Sequence, residues 1–550
     1  MEKMGVSSTS VNASAPMLGQ AADVPTANFQ LFGSMLPVPA ASMATATAPA
    51  PTADNGASGS VAAGAAAQNA SGSVQGQGDG MSLSLQLWPV GSTTAAVSSP
   101  PVAPVTGPGP AAVMPAPLAM AAAENASLAA VANALALRRK NVATQRSTAL
   151  LGHLRRCAEA LAVSRSEDAD AELASIALLA SPDGDAVQRM AAAFAEALAR
   201  VALRPWKGIA AMAFPSDGSD RPRAWEAAAA RMNFLNLCPV LHLAAVAVNE
   251  IILETTRNDR FIQVVDLGGV HYGQWVDLLH ALATRRESRP CLRLTVVHED
   301  KQFLYQASLV IMSESDRVGV PLDLHIVESS SLLALKLDSL GVRSDHAVVI
   351  VSTLKLHPLI GTGNDTAAAA SAAAGGMASS LPSPSTTLTN VDKLLRGFHL
   401  LSPKLMIVTE NEASHFGPSF MERFASALGY YEQLFTSVEE GSAAYGGEPA
   451  QRKEAERFLL REEIKDIIAC EDGPRWARHE RLVRWIARIA AAGFVFSPTS
   501  SGAAVERVRS VAARMPGGEK VYGVAEAGSG WLVLRREEKP MFSVSAWRRR

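Results

Sequence analysis

The stretch FIQVVDLGGVHYGQWVDLLHALATRR, residues 261–286, decides how this chain folds. Phe261 to Leu267 is a short apolar run, closed by an acidic residue and by Gly268 and Gly269, and it reads as a strand with the turn that follows it. Gln274 to Arg286 reads as a helix, because Trp275, Leu278, Leu279 and Leu282 recur at i, i+3, i+4 and i+7. Many nucleotide-binding α/β domains begin this way. Asp266, Gly268 and Gly269 then lie at the carboxyl end of a strand, where doubly wound sheets hold their ligands. A second apolar run, LRLTVVHED, ends in Glu299 and Asp300, where a carboxylate can accept hydrogen bonds from ribose hydroxyls.

The match to a dinucleotide site is poor. The fingerprint G-x-G-x-x-G lets backbone approach a pyrophosphate, whereas here the text is G-G-V-H-Y-G. With Gly269 as its second glycine, Tyr272 takes the third place and Gly273 comes one residue late. His271 and Tyr272 fill the space a phosphate would use, and Glu299 follows Asp266 by 33 positions, beyond the usual span of about 20. A pocket for S-adenosylmethionine tolerates more variation, since it holds no pyrophosphate. Two readings therefore stand: an adenosyl pocket built from Asp266, Gly268, Gly269 and Glu299, or a tight strand-to-helix turn with no ligand.

Outward from this stretch, apolar runs recur with helical stretches between them: LDLHIVE, AVVIVSTLKLH and KLMIVTENEA. Such alternation predicts a mostly parallel sheet covered on both faces. KVYGVAEA, WLVLRR and MFSVSAW then read as antiparallel strands that complete its edge. On the N-terminal side the pattern is helical. Leu150, Leu151, Leu154, Cys157, Ala158 and Leu161 fall on one stripe, DADAELASIALLA stops at the turn SPDGD, and AVQRMAAAFAEALARVAL follows. RMNFLNLCPVLHLAAVAVNEIILETT reads as one long apolar helix with Pro239 in its first turn. The sum is an α/β chain, a doubly wound sheet with an N-terminal helical cap.

Composition divides the chain. Residues 1–137 hold six charged side chains in a background of Ala, Ser, Pro, Gly, Thr and Val, too little apolar bulk to offset ordering entropy, so disorder is expected there. The low-complexity stretch 362–390 reads as a disordered surface insertion. Residues 138–550 carry 49 basic and 47 acidic groups, a balance unlike that of a domain that grips DNA phosphates itself. Cys157, Cys238, Cys291 and Cys470 are far apart and form no CxxC pair, so core thiols are expected rather than zinc or disulfide chemistry. His298, Glu299 and Asp300 have no second cluster at metal-ligand spacing, and no metal or cofactor is expected. There is no apolar h-region in MEKMGVSSTS and no apolar run of about 18 residues, so neither a secretory signal nor a membrane span is expected. REEIKDIIACEDGPRWARHERLVRW (461–485) mixes charges in a way that reads as a salt-bridged surface. LRRKNVATQR (137–146) and the terminal RRR are candidates for an import receptor or nucleic acid.

Several blocks, in order, resemble the GRAS family of plant transcriptional regulators over roughly 145–550. VVDLGGVHYGQWVDLLHALATR is similar to the family's VHIID block, through Val264, Val265, Asp266, His271, Tyr272, Gln274 and Trp275. CPVLHLAAVAVNEIILE resembles the end of its first leucine-rich region. SPKLMIVTENEASHFGPSFMERFASALGYYEQLFTSVE resembles the PFYRE block, with Pro403, Glu410, His415, Phe420, Arg423, Phe424, Tyr430, Leu434 and Phe435 in place. Glu471, Arg475, Arg478, Glu480, Trp485, Gly493 and Trp547 resemble the SAW block. The chain departs from the pattern at Arg535-Arg536, where the family has a Gly-Trp pair, and no DELLA-type motif stands in its first segment. The overall resemblance is SCARECROW-like.

The resemblance implies a Rossmann-like, methyltransferase-like sheet with a helical cap. On it, 138–550 is the GRAS domain: first leucine-rich region about 145–215, its end and the VHIID block 225–300, second leucine-rich region 301–361, the insertion 362–390, PFYRE 391–465 and SAW 466–550. It also implies a nuclear co-regulator without catalysis that binds DNA-binding transcription factors, zinc-finger proteins above all, and other GRAS proteins. The alternative is a methyltransferase or small-ligand sensor. In MSLSLQLWPV (81–90), Leu83, Leu85 and Leu87 alternate with polar residues and resemble the plant EAR repression motif, which docks on TOPLESS-type corepressors.

Overall fold

A computed structural model of the chain describes residues 116–214, 222–268, 271–285, 290–360, 388–470, 475–497 and 501–550, with backbone alone for 116–127 and 501. Leu83, Leu85, Leu87, Gly269, Glu471 and most of the 362–390 insertion lie outside them.

Helices come first: α1 (Ala116–Ala162), α2 (Ser166–Leu179), α3 (Ala186–Ala202), α4 (Lys207–Ala213), α5 (Ala224–Leu237) and α6 (Pro239–Thr255). Helix α1 thus begins N-terminal to the compositional boundary at 137. The SPDGD turn ends in an N-cap: Asp185 accepts from Gln188 N–H at 3.0 Å, and the Gln188 side chain returns a bond to the Asp185 N–H. The expected single long helix over 231–256 is instead two, α5 and α6, which meet at 83°. Pro239 explains the corner, because its ring opens α6 and has no N–H to continue α5. Both helices are apolar because they are core; among the described residues no single helix is long and apolar enough to cross a membrane.

Strands and helices then alternate: β1 (Phe261–Asp266), α7 (Tyr272–Ala283), β2 (Cys291–His298), α8 (Lys301–Val318), β3 (Leu322–Glu328), β4 (Ala347–Thr353), α9 (Asn390–Leu400) and β5 (Leu405–Asn411). The rest is α10 (Phe420–Ala444), α11 (Pro449–Ala455), a π-helical turn at Glu456–Leu460, α12 (Arg461–Ala469), α13 (Leu482–Ala491), β6 (Phe494–Phe496), α14 (Ser501–Ala512), α15 (Gly518–Val521), β7 (Tyr522–Gly528), β8 (Trp531–Arg536) and β9 (Lys539–Arg549). The sheet order is β3-β2-β1-β4-β5-β9-β8-β7, with β6 also on β9. β3 to β5 pair in parallel and β9, β8 and β7 antiparallel, as the sequence predicts. The three-residue β6 is too short to leave a periodicity and escapes sequence reading.

Strand alternation builds a core on each face. Ile262, Val264, Val349, Val351, Leu405 and Ile407 pack with the helical cap, whereas Val265, Val348, Ile350, Met406 and Val408 pack with Leu395, Phe398 and Trp485. Cys157 and Cys238 are buried and Cys291 and Cys470 half-buried; burial pushes the Cys157 thiol up to about 12. Arg189 fastens α3 to the π-helical turn through two bonds to Glu456, at 2.8 and 2.9 Å. Arg536, at a departure from the GRAS pattern, is buried against α10, where it donates to Gln433 and Glu440. The mixed-charge stretch 461–485 is not a solvated surface: Glu463, Asp466, Arg475, Arg478, His479 and Glu480 are all buried. A helical charge pattern looks the same in sequence whether its partner is water or protein.

Candidate functional site

Chain building runs outward from β1 to β2 and β3, then reverses through β4 to β5, so the topological switch lies between β1 and β4. Three carboxyl-end segments meet there: Asp266–Gly268 after β1, His298–Asp300 after β2 and Thr353–His357 after β4.

Asp266 is 4% exposed, and its carboxylate is bonded locally. Gly268 N–H donates to Oδ1 and Trp275 Nε1–H to Oδ2, each at 2.8 Å. The turn after β1 and the first turn of α7 are therefore tied to one side chain. A Cβ on Gly268 would stand 3.3 Å from Asp266 Oδ1 and from Thr353 Cβ and O, so close approach of β4 explains the glycine. Tyr272 is buried, and His271 is half-buried with its imidazole held down at about 3, first by loss of hydration and then by His242.

Glu299 faces Lys355 at 3.6 Å. Burial works against its carboxylate, but Lys355, Arg231 and His298 together hold it below the usual range. Lys355 itself is brought down to about 7 by burial first and Arg231 second, against the pull of Glu299 and Asp266. Asp266 and Glu299 thus act on one half-buried lysine, which nothing in the sequence pattern singles out. Leu354 before it has φ 54°, a strained conformation for a leucine, and its N–H is tied to Thr409 O at 2.9 Å. His298, Glu299 and Asp300 do not converge as ligands: the Asp300 N–H donates to His298 Nδ1 at 2.9 Å, while Asp300 caps α8 by accepting from Phe303 N–H at 3.0 Å.

Beyond Lys355 the chain enters a second polar cluster. Glu410 on β5 accepts from Leu356 N–H at 2.9 Å and is bonded to His357 Nδ1 at 2.8 Å. The His357 ring meets His479 edge-on at 4.4 Å between centroids, and His479 Nδ1 is 2.8 Å from His415 Nδ1. Tyr431 donates to Glu463 Oε2 at 2.7 Å. Asp466 accepts from Trp476 and Ala477 N–H, and Arg475 donates to Phe416 O at 3.0 Å. Burial holds His415 down at about 3 and His479 well below the usual range, and it raises Glu463 and Asp466. The residues that carry the PFYRE and SAW resemblance, Glu410, His415, Arg423, Tyr430, Arg475, Arg478 and Glu480, are thus buried, in or beside this internal scaffold.

A family model described as the GRAS domain family matches residues 150–548. Scarecrow-like protein 3 of Arabidopsis thaliana is 32% identical over 442 residues, which covers 74% of this chain and 89% of that protein. DELLA protein RGL3 of Arabidopsis thaliana is 30% identical over 395 residues, covering 71% and 68%. The crystal structure of SCL7 in Oryza sativa matches with a TM-score of 0.57 at 26% identity, covering 72% of this chain and 99% of that one.

Proposed function

The chain belongs to the GRAS domain family, whose members are plant transcriptional regulators, and from that premise we propose that it is a nuclear co-regulator that works as a protein-interaction scaffold. Its partners are DNA-binding transcription factors, zinc-finger proteins foremost, and other GRAS proteins. It brings them together without catalysing a reaction.

The observation that carries this reading is an apolar stripe on α1. Leu128, Val131, Leu135 and Val142 are each more than half exposed, and their spacing of 3, 4 and 7 residues puts them on one helical face. A seam of that period fits a partner helix. Trp206, Ile209 and Met212 add a second exposed apolar set at α4. The switch-point geometry supports the absence of catalysis: Asp266 holds a turn together, Gly268 allows close packing, and Glu299 answers Lys355. Near-neutral charge over 138–550 suits recruitment through partners better than direct reading of DNA. Leu83, Leu85 and Leu87, outside the described residues, supply the corepressor-docking segment of the same proposal.

The test is affinity purification of the full-length chain from plant nuclear extract, with partners quantified by mass spectrometry. The variant L128E/L135E is expected to lose DNA-binding or GRAS partners at least tenfold. L83A/L85A/L87A is expected to lose only a TOPLESS-type corepressor. Recovery of the same partner set with wild type and both variants overturns the assignment of these surfaces, and recovery of metabolic enzymes alone shifts the function to the switch-point pocket.

A further inference from the structure

We propose that His357, Glu463 and His479 form a buried site for a divalent cation of the zinc class, which staples the end of the sheet to the helical layer. One ligand atom from each residue lies within 4.8 Å of the others, and the three side chains come from separate segments: the turn after β4, helix α12, and the link between α12 and α13. They are 3%, 8% and 0% exposed.

Three observations favour a metal over a closed hydrogen-bond network. First, His479 Nε2 is buried with no hydrogen-bond partner, and His479 is among the residues whose ligand atoms converge. An orphaned buried polar atom of this kind calls for an unseen partner. The pairing of His479 Nδ1 with His415 Nδ1 allows the tautomer in which Nε2 carries a lone pair. Second, each ligand is steadied at its other side. Glu410 holds His357 Nδ1 at 2.8 Å, which leaves Nε2 as the donor atom, Tyr431 holds Glu463 Oε2 at 2.7 Å, and His415 holds His479. A carboxylate on the far nitrogen of a ligating histidine is the usual outer shell of a metal site. Third, charge closes: a dication would meet the Glu463 carboxylate directly and the Glu410 carboxylate one bond further out.

Two imidazoles and one carboxylate suit zinc and its neighbours better than magnesium or calcium. Ligand atoms at about 2.1 Å from one ion stand about 3.4 Å apart, a spacing that atoms already within 4.8 Å of one another can reach by small side-chain shifts. The fourth position would fall to water. Such an ion would do for this interior what Arg189 does for α3, join segments far apart in sequence.

The test uses full-length chain purified without a polyhistidine tag, with zinc measured by elemental mass spectrometry. About one zinc per chain is expected. Removal by a chelator should lower the melting temperature, and added zinc should restore it. Titration of the stripped chain with cobalt(II) should give visible d–d bands that saturate at one equivalent. H479Q should lose metal and bands, E410Q should weaken zinc binding about 10- to 100-fold, and H325Q, at a half-buried histidine on β3 outside the cluster, should change neither. If a variant misfolds, the cobalt titration of the wild-type chain still decides. Wild-type chain with no zinc, no cobalt bands and no thermal shift overturns the proposal, as does stoichiometric metal that survives H357Q and H479Q.

Discussion

Two polar clusters stand at the carboxyl edge of the same sheet, and they are closed in opposite ways. At the end of β1, Asp266 is satisfied by partners two and nine residues further along the chain, Gly268 and Trp275. At the ends of β4 and β5, His357, Glu410, His415, Glu463 and His479 come together from positions 122 apart at the extremes. The first can form as soon as the strand and helix do. The second exists only once the whole domain has closed, and each of its members is buried. The lesson is that the local cluster should be mechanically modest and the long-range one should govern stability.

The sharpest way to break that contrast is Glu410→Ala. It leaves the Leu356 N–H and His357 buried without their acceptor, so a loss of about 3–5 kcal/mol is expected from urea unfolding. A loss under about 1 kcal/mol would mean the cluster rearranges freely. Asp266→Asn should cost less, about 1–3 kcal/mol, because the amide keeps one acceptor for two buried donors. Gly268→Ala is smaller again, about 1 kcal/mol, since its Cβ meets three atoms at 3.3 Å that need only a slight shift.

A separate handle on the β1 end is pH dependence. Burial holds His242 at about 4 and His271 at about 3, below the unfolded value of about 6.5. Between those values the unfolded chain binds more protons than the native one, so stability rises with pH there. Their contribution is complete above about pH 6.5 and is lost as the pH falls toward 3. Melting temperatures measured from pH 7 to pH 4 should therefore decline, and H242Q/H271Q should flatten the slope.

The contrast also explains what was legible in the sequence. Apolar runs ending in polar residues located β1 to β5, and the i, i+3, i+4, i+7 set from Trp275 to Leu282 located the buried face of α7, because both signals are local. The turn residues Asp266 and Gly268 were legible for the same reason. Pro239 marks a helix start in the sequence, yet the 83° corner before it leaves no local signal, since apolar residues continue through it on both sides. Lys355, His357 and His479 left no trace. Their spacing in the chain carries no period, and the charges of 461–485 suggest solvent until the partners from β4, β5 and α10 are in place. Only the family resemblance pointed at Glu410, His415 and Arg475, and it did so without saying that they face inward.

The most direct test of the claim that the β1 end is a structural turn is isothermal titration of S-adenosylmethionine into the full-length chain. A turn held by Asp266 and closed over by Lys355 and Glu299 predicts no saturable heat up to about 1 mM ligand. Stoichiometric binding tighter than about 100 µM, abolished in Glu299→Gln, would contradict it and return the switch point to the role of a cofactor pocket.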